Sequence, residues 1–130
     1  MKIAGIDPAL RNTGIAIAEF DSTKSKLIIT DLYLVSTTPE INTMQGEDTL
    51  RRCKEIYNKV MEHTKDCELV VAEMPTGGSN NKTAFSLGAG FTAALVGLPQ
   101  PLITVSPYEV KNAALPDYPA KLRNKAAMVA

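Results

Sequence analysis

Residues 2–17 read KIAGIDPALRNTGIAI, and their order decides the fold. Lys2 to Asp7 is apolar with β-branched members, which predicts a strand that delivers an acid at its end. Pro8 has no amide hydrogen to give a ladder, so the strand stops there. Thr13 to Glu19 alternates and predicts a second strand, with the short turn PALRN between the two. A turn this short joins antiparallel neighbours. Asp21 to Lys26 is polar and turn-like. Leu27 to Leu34 predicts a third strand, with Ile28, Thr30 and Leu32 on one face.

After Pro39 the period changes. Leu50, Cys53, Tyr57 and Val60 recur at three- and four-residue spacing, with Arg51, Arg52, Lys54 and Lys59 off that stripe. This pattern predicts an amphipathic helix over residues 44–65. ELVVA (68–72), ending at Glu73, is a short apolar run with two valines and predicts a buried strand. The polar loop PTGGSNN follows it. Ala84, Leu87, Phe91, Leu95 and Leu98 mark a second helix, over residues 79–98, in which Gly88, Ala89 and Gly90 imply close packing against a neighbour. Leu102 to Val105 predicts a fifth strand. Ser106-Pro107-Tyr108-Glu109 is a helix start, with serine as cap, proline first and glutamate placed to close a capping box. That helix ends near Leu115-Pro116, and another begins around Pro119 and still runs at Ala130. The order β-β-β-α-β-α-β-α-α implies an α/β fold: a mixed five-stranded sheet, three antiparallel strands then two parallel, flanked by helices.

Composition narrows the function. The chain has 130 residues, enough for one domain, with 45% hydrophobic and 22% charged residues and zero net charge. The charge is unevenly spread: residues 1–73 hold nine Lys/Arg against twelve Asp/Glu, and residues 74–130 hold five against two. No apolar run reaches membrane-spanning length and no signal peptide opens the chain, which implies no membrane and a cytoplasmic protein. Two cysteines, Cys53 and Cys67, and the single His63 cannot build a zinc site of ordinary spacing. His63 lies in a charged helical stretch and reads as a solvated surface residue. Both thiols read as reduced and partly buried.

The chemistry rests on two acids in equivalent places. Asp7 ends the first strand and Glu73 the fourth. A helical crossover between the meander and the fourth strand makes those two strands parallel neighbours, so their C-terminal ends meet where open α/β sheets bind ligands. Two converging carboxylates repel unless a cation lies between them, and an all-oxygen ligand set suits Mg²⁺ or Mn²⁺. Such a cation activates water and steadies a leaving oxygen in phosphodiester hydrolysis. Taken singly, Asp7 before Pro8 is also an ordinary turn-former, and Glu73 an ordinary loop acid.

GIDPALRNTGIAI resembles the opening of the RuvC-type Holliday junction resolvases, and VVAEMPTGG resembles their second acidic motif. VSPYEVKNAAL looks like their lysine-bearing segment, and NKAAMVA like the start of their final helix. The resemblance implies a ribonuclease-H-like fold, a homodimer, and two-metal cleavage of branched DNA such as four-way junctions, with Mg²⁺ and Mn²⁺ as substitute. It implies Asp7 and Glu73 as catalytic metal ligands and Lys111 as a catalytic, DNA-facing lysine, with Lys125 or Lys121 as a second such lysine. Arg11, Asn12, Asn80, Asn81 and Lys82 flank the acids and are candidate phosphate contacts. The sequence departs from the family in two places. After Asp117 there is no acid, whereas the family's last two metal ligands lie on its final helix, so a single nuclease domain cut inside that helix is expected, one that by itself cuts junctions very slowly or not at all. Met74, Pro75 and Thr76 stand where some members carry a base-stacking aromatic; Phe85, further on, is expected in the core.

Two other readings share parts of the pattern. Actin-like and sugar-kinase nucleotide-binding domains open with a similar strand-turn-strand, but a second glycine-rich phosphate loop is missing here. A catalytically inactive DNA-binding dimer module is compatible with the missing acids.

Overall fold

The computed structural model describes residues 1–75 and 80–114. The elements are β1 (Lys2–Asp7), β2 (Asn12–Asp21), β3 (Lys26–Ser36), α1 (Gln45–Thr64), β4 (Leu69–Glu73), α2 (Asn81–Leu95), β5 (Leu102–Val105) and α3 (Pro107–Ala114). One five-stranded sheet has the order β3-β2-β1-β4-β5. β1, β2 and β3 pair antiparallel, while β4 pairs parallel to β1 and β5 parallel to β4. The mixed sheet expected from the sequence is therefore present. The final helix expected from Pro119, with Lys121 and Lys125, lies outside the described residues.

Strand alternation gives the sheet two unlike faces. Ala4, Ile6, Ile15, Ile17, Val70 and Ala72 are buried with Ile56 and Val60 of α1 and Ala93, Ala94 and Leu95 of α2. Burying each large aliphatic side chain of this set contributes about 1.5–3 kcal/mol. The opposite face carries Gly5, Asp7, Gly14, Ala16, Val71 and Glu73, and small residues there leave a hollow rather than a packed layer.

α1 binds the sheet by a different stripe from the one its apolar residues predict. Thr49, Arg52, Ile56, Val60 and Thr64 are buried, whereas Leu50 and Tyr57 are 57% and 40% exposed. Near the start of the inner stripe Arg52 is held by hydrogen bonds to Thr37, on the segment after β3. β3 also differs: Thr30 is bulged opposite the Ile17–Ala18 step of β2 and shifts the register, so Ile29 and Leu32 oppose Ala18 and Ala16 on one face. Ile28 is thereby moved off the face of Leu32. His63 is half-buried and stacks on Tyr33, with ring centroids 3.9 Å apart, rather than standing free in solvent. Phe85 is 52% exposed and not in the core.

α2 starts at Asn80, whose side chain accepts from the Thr83 amide. Of the two glycines of this helix, only Gly90 is used for close approach. A Cβ there would lie 2.5 Å from Leu10 N, whereas one at Gly88 meets nothing within 4 Å. α3 is capped as expected, the Glu109 amide donating to Ser106 Oγ at 3.1 Å. Both cysteines are free, and burial pushes both thiols up from their ordinary value. No helix among the described residues is long and apolar enough to cross a membrane.

Candidate active site

Asp7 and Glu73 are brought to one place by the β1–β4 pairing. Ile6 is level with Ala72, so the two acids occupy the next position on adjacent parallel strands. Both line a cavity of about 380 Å³ together with Gly5, Gly14, Ala16 and Val71 of the sheet and Val110 of α3. Gly14 is level with Asp7, and a Cβ at Gly14 would lie 3.9 Å from the Cβ of Asp7, an ordinary contact. Glycine there leaves open space beside the carboxylate.

The turn after Asp7 is held by buried hydroxyls. Thr13 is fully buried; its Oγ1 accepts from the Ala9 amide at 3.2 Å and donates to the Ala9 carbonyl at 2.6 Å. The Thr37 hydroxyl donates to the Leu10 carbonyl, and the Thr37 amide donates to the Arg11 carbonyl at 2.9 Å. Arg52 in turn donates through Nε to Thr37 Oγ1 at 2.9 Å. Thr37 and Arg52 carry no sequence signal of their own chemistry. The one clue is that Arg52 shares the spacing of Ile56, Val60 and Thr64, which places it on the inner stripe of α1.

The other candidates are distributed around this centre. Arg11 is exposed on the turn and Asn12 at the start of β2; Asn12 Oδ1 accepts from Ser36 Oγ at 2.8 Å, a bond that does not use its amide nitrogen. Asn80 uses its side-chain oxygen as the α2 cap, so only its amide nitrogen is left for another partner. Asn81 and Lys82 are exposed in the first turn of α2 and border a hollow with Gln45, Gly46 and Phe85, separate from the two acids. Lys111 is half-buried on α3, next to the Val110 that lines the cavity.

The donor chemistry of the cavity fits a hard divalent cation: two carboxylates, no imidazole and no thiolate. Mg²⁺ is commonly held by one or two carboxylates with water and substrate phosphate completing its shell. Among the described residues no cluster of three or more His, Cys, Asp or Glu exists, so two carboxylates are the set these elements supply.

A second charged cluster braces the segment between β3 and α1. Arg51 donates to Asp48 at 2.8 Å, to Glu55 at 2.8 Å and to the Thr38 carbonyl at 2.7 Å, while the Glu40 amide donates to Asp48. The Arg51 guanidinium beside Asp48 holds its carboxyl below the usual carboxylate value of 3.8. A depressed carboxylate stabilises the fold above its unfolded value, and that gain is lost as pH falls through the folded value. Asp48→Asn is therefore expected to flatten the fall of melting temperature below about pH 4. An unchanged acid limb in thermal melts would exclude Asp48 as a source of it.

No protein-family model and no curated protein matches the sequence. Solved structures do match. Thermus thermophilus RuvC aligns over 88% of this chain and 69% of its own at 25% identity, with a TM-score of 0.71. The fold is the ribonuclease-H-like fold of RuvC. The same T. thermophilus RuvC in complex with a Holliday junction substrate aligns over 98% of this chain and 90% of its own, at 21% identity and a TM-score of 0.73. Fowlpox virus resolvase, in complex with Holliday junction DNA, is more distant at 14% identity, 97% and 83% coverage and a TM-score of 0.52. The resemblance to RuvC read from the motifs and the likeness of fold thus point the same way.

Proposed function

We propose that this chain is the nuclease domain of a metal-dependent endonuclease that resolves Holliday junctions or other branched DNA. The observation that carries the reading is the meeting of Asp7 and Glu73 at the ends of two adjacent parallel strands, over one open cavity. The RuvC and fowlpox neighbours solved with junction DNA support the substrate class. In this reading Asp7 and Glu73 hold Mg²⁺, or Mn²⁺ in its place, and a second ion takes further ligands from outside the described residues. When bound, such cations stabilise charge on the attacking and leaving oxygens of a phosphodiester. Lys111, which follows the cavity-lining Val110 in α3 and is not itself in the lining, is the candidate to offer an ammonium to the phosphate. Arg11, Asn12, Asn81 and Lys82, with the Asn80 amide nitrogen, contact flanking phosphates; Lys121 and Lys125, outside the described residues, are further candidates for the same role. Phosphate contacts fix position and carry no sequence information directly.

Homodimerisation belongs to the same proposal. The groove between α1 and α2 is apolar, lined by Tyr57, Phe85, Gly88 and Val96 among others, and suits an isologous contact. Light scattering at high concentration is expected to give twice the chain mass; a monomer would count against it.

The deciding experiment is junction binding and cleavage. Because net charge is zero, binding is expected only at low salt, with affinity falling steeply as salt rises. Four-way junctions are expected to bind ahead of linear duplex, and cutting to require Mg²⁺ or Mn²⁺. Nucleotide binding without junction affinity would favour the actin-like alternative. Junction binding by a form in which no cation elicits cutting would favour an inactive DNA-binding module.

A further inference from the structure

We propose that Thr37, braced by Arg52, is a positioning residue for the candidate active site; the proposal rests on the nuclease reading above. Thr37 lies between β3 and α1, far along the chain from Asp7, yet it holds two successive carbonyls of the turn that follows Asp7. Its hydroxyl donates to Leu10 and its amide to Arg11. Thr37 is 2% exposed and Arg52 8% exposed. A buried cation is costly unless its hydrogen bonds are used. Arg52 has no ion pair among the described residues; it spends Nε on Thr37 Oγ1 and Nη2, at a longer 3.4 Å, on the Thr37 carbonyl. The planar guanidinium fixes both the rotamer and the backbone of Thr37, which a flexible ammonium does not do. With Nε filling its acceptor site, the Thr37 hydroxyl proton is directed to Leu10.

The turn is closed on its other sides. Thr13 bridges both ends of Ala9, and Gly90 of α2 lies so close that a Cβ would sit 2.6 Å from the Ala9 carbonyl carbon. Residues 8–11 therefore have a hydroxyl brace within, a helix backbone against them, and the Thr37–Arg52 pair on the remaining carbonyls. Asp7 leads into this turn and Arg11 and Asn12 lead out of it, so one seat sets the spacing between the cation-facing carboxylate and the phosphate-facing side chains. Misplacement by about 1 Å costs roughly a hundredfold in rate when geometry carries catalysis.

Thr37→Val keeps the shape and removes the hydroxyl; Thr37→Ser keeps the hydroxyl. With Mn²⁺ alone as probe, Thr37→Val is expected to weaken binding by at most about tenfold in titration calorimetry, the lower end of the loss for a group bonded directly to a ligand, since Thr37 bonds Leu10 and not the Asp7 carboxylate. Thr37→Ser is expected to stay near the unsubstituted chain. Amide hydrogen exchange at Ala9 and at position 37, the two amides that hold the turn, is expected to quicken in Thr37→Val while the cores of β1 and β4 keep their protection. Junction cleavage is expected to fall about 10- to 100-fold, with junction affinity without divalent cation unchanged. Arg52→Met is expected to follow Thr37→Val. Unaltered Mn²⁺ affinity and turn exchange in Thr37→Val would overturn the positioning role, as would exchange that quickens equally throughout the sheet. Failure of the unsubstituted chain to bind junctions would overturn the nuclease reading but leave the Mn²⁺ and exchange results to decide this one.

Discussion

Asp7→Asn and Glu73→Gln are each expected to lower junction cleavage by about three orders of magnitude while leaving junction binding intact. Both substitutions keep size and remove the charge that holds a hard cation. The expected loss corresponds to about 4 kcal/mol of transition-state stabilisation, since each 1.36 kcal/mol is tenfold in rate. Binding responds with the opposite sign. Asp7 and Glu73 face the cavity that phosphate would approach, so removing either negative charge should hold or slightly raise affinity at low salt. Glu19 is the control: it is exposed and level with Lys2, at the opposite end of the sheet. Glu19→Gln is expected to cut as the unsubstituted chain does. The measurement is single-turnover cleavage of a four-way junction in Mg²⁺ and Mn²⁺, with gel-shift affinities taken without divalent cation. It is read in a form whose cleavage is measurable, this chain or a longer one that contains it. Cleavage that survives Asp7→Asn would remove Asp7 from the mechanism, and a parallel loss of binding would recast the acids as structural.

The two acids were legible because strand patterns are local. Each closes a short apolar run, and the helix between the runs forces a parallel pairing. The brace around Asp7 was not legible, because it is made by hydroxyls and a guanidinium whose partners lie on other elements. Thr37 reads as one more residue in STTPE, and Arg52 reads as part of the solvated face. The phase of α1 was misassigned for the same reason. An apolar stripe through Leu50, Cys53 and Tyr57 competes with a mixed stripe through Thr49, Arg52 and Ile56, and tertiary hydrogen bonds choose the second. The bulge at Thr30 likewise leaves no mark that alternation alone could find. Phe85 was expected in the core because large aromatics bury well; it sits instead on the rim of two hollows.

Gly88 and Gly90, two residues apart on α2, are expected to respond to alanine with opposite signs. Interior helix glycine costs about 0.8–1 kcal/mol relative to alanine through backbone entropy. At Gly88 nothing lies within 4 Å of the added Cβ, so Gly88→Ala should stabilise the monomer by about that amount. At Gly90 the same methyl would meet Leu10 N at 2.5 Å and the Ala9 carbonyl carbon at 2.6 Å, both main-chain atoms. Backbone cannot swing aside as a side chain does, so α2 or the turn must move. Overpacking of this kind costs about 1–3 kcal/mol, which outweighs the helix gain. Denaturant melts of the two variants should therefore move in opposite directions from the unsubstituted midpoint. The pair also separates packing within the chain from contact between copies. Gly88 borders the groove proposed for the homodimer, so a methyl there that stabilises the monomer yet lowers the dimer fraction would place Gly88 in the interface. Gly90 is buried against the turn and should leave association unchanged apart from its effect on folding. If Gly90→Ala melts like the unsubstituted chain, α2 is not seated against the Asp7 turn, and one wall of the candidate active site is lost from the account.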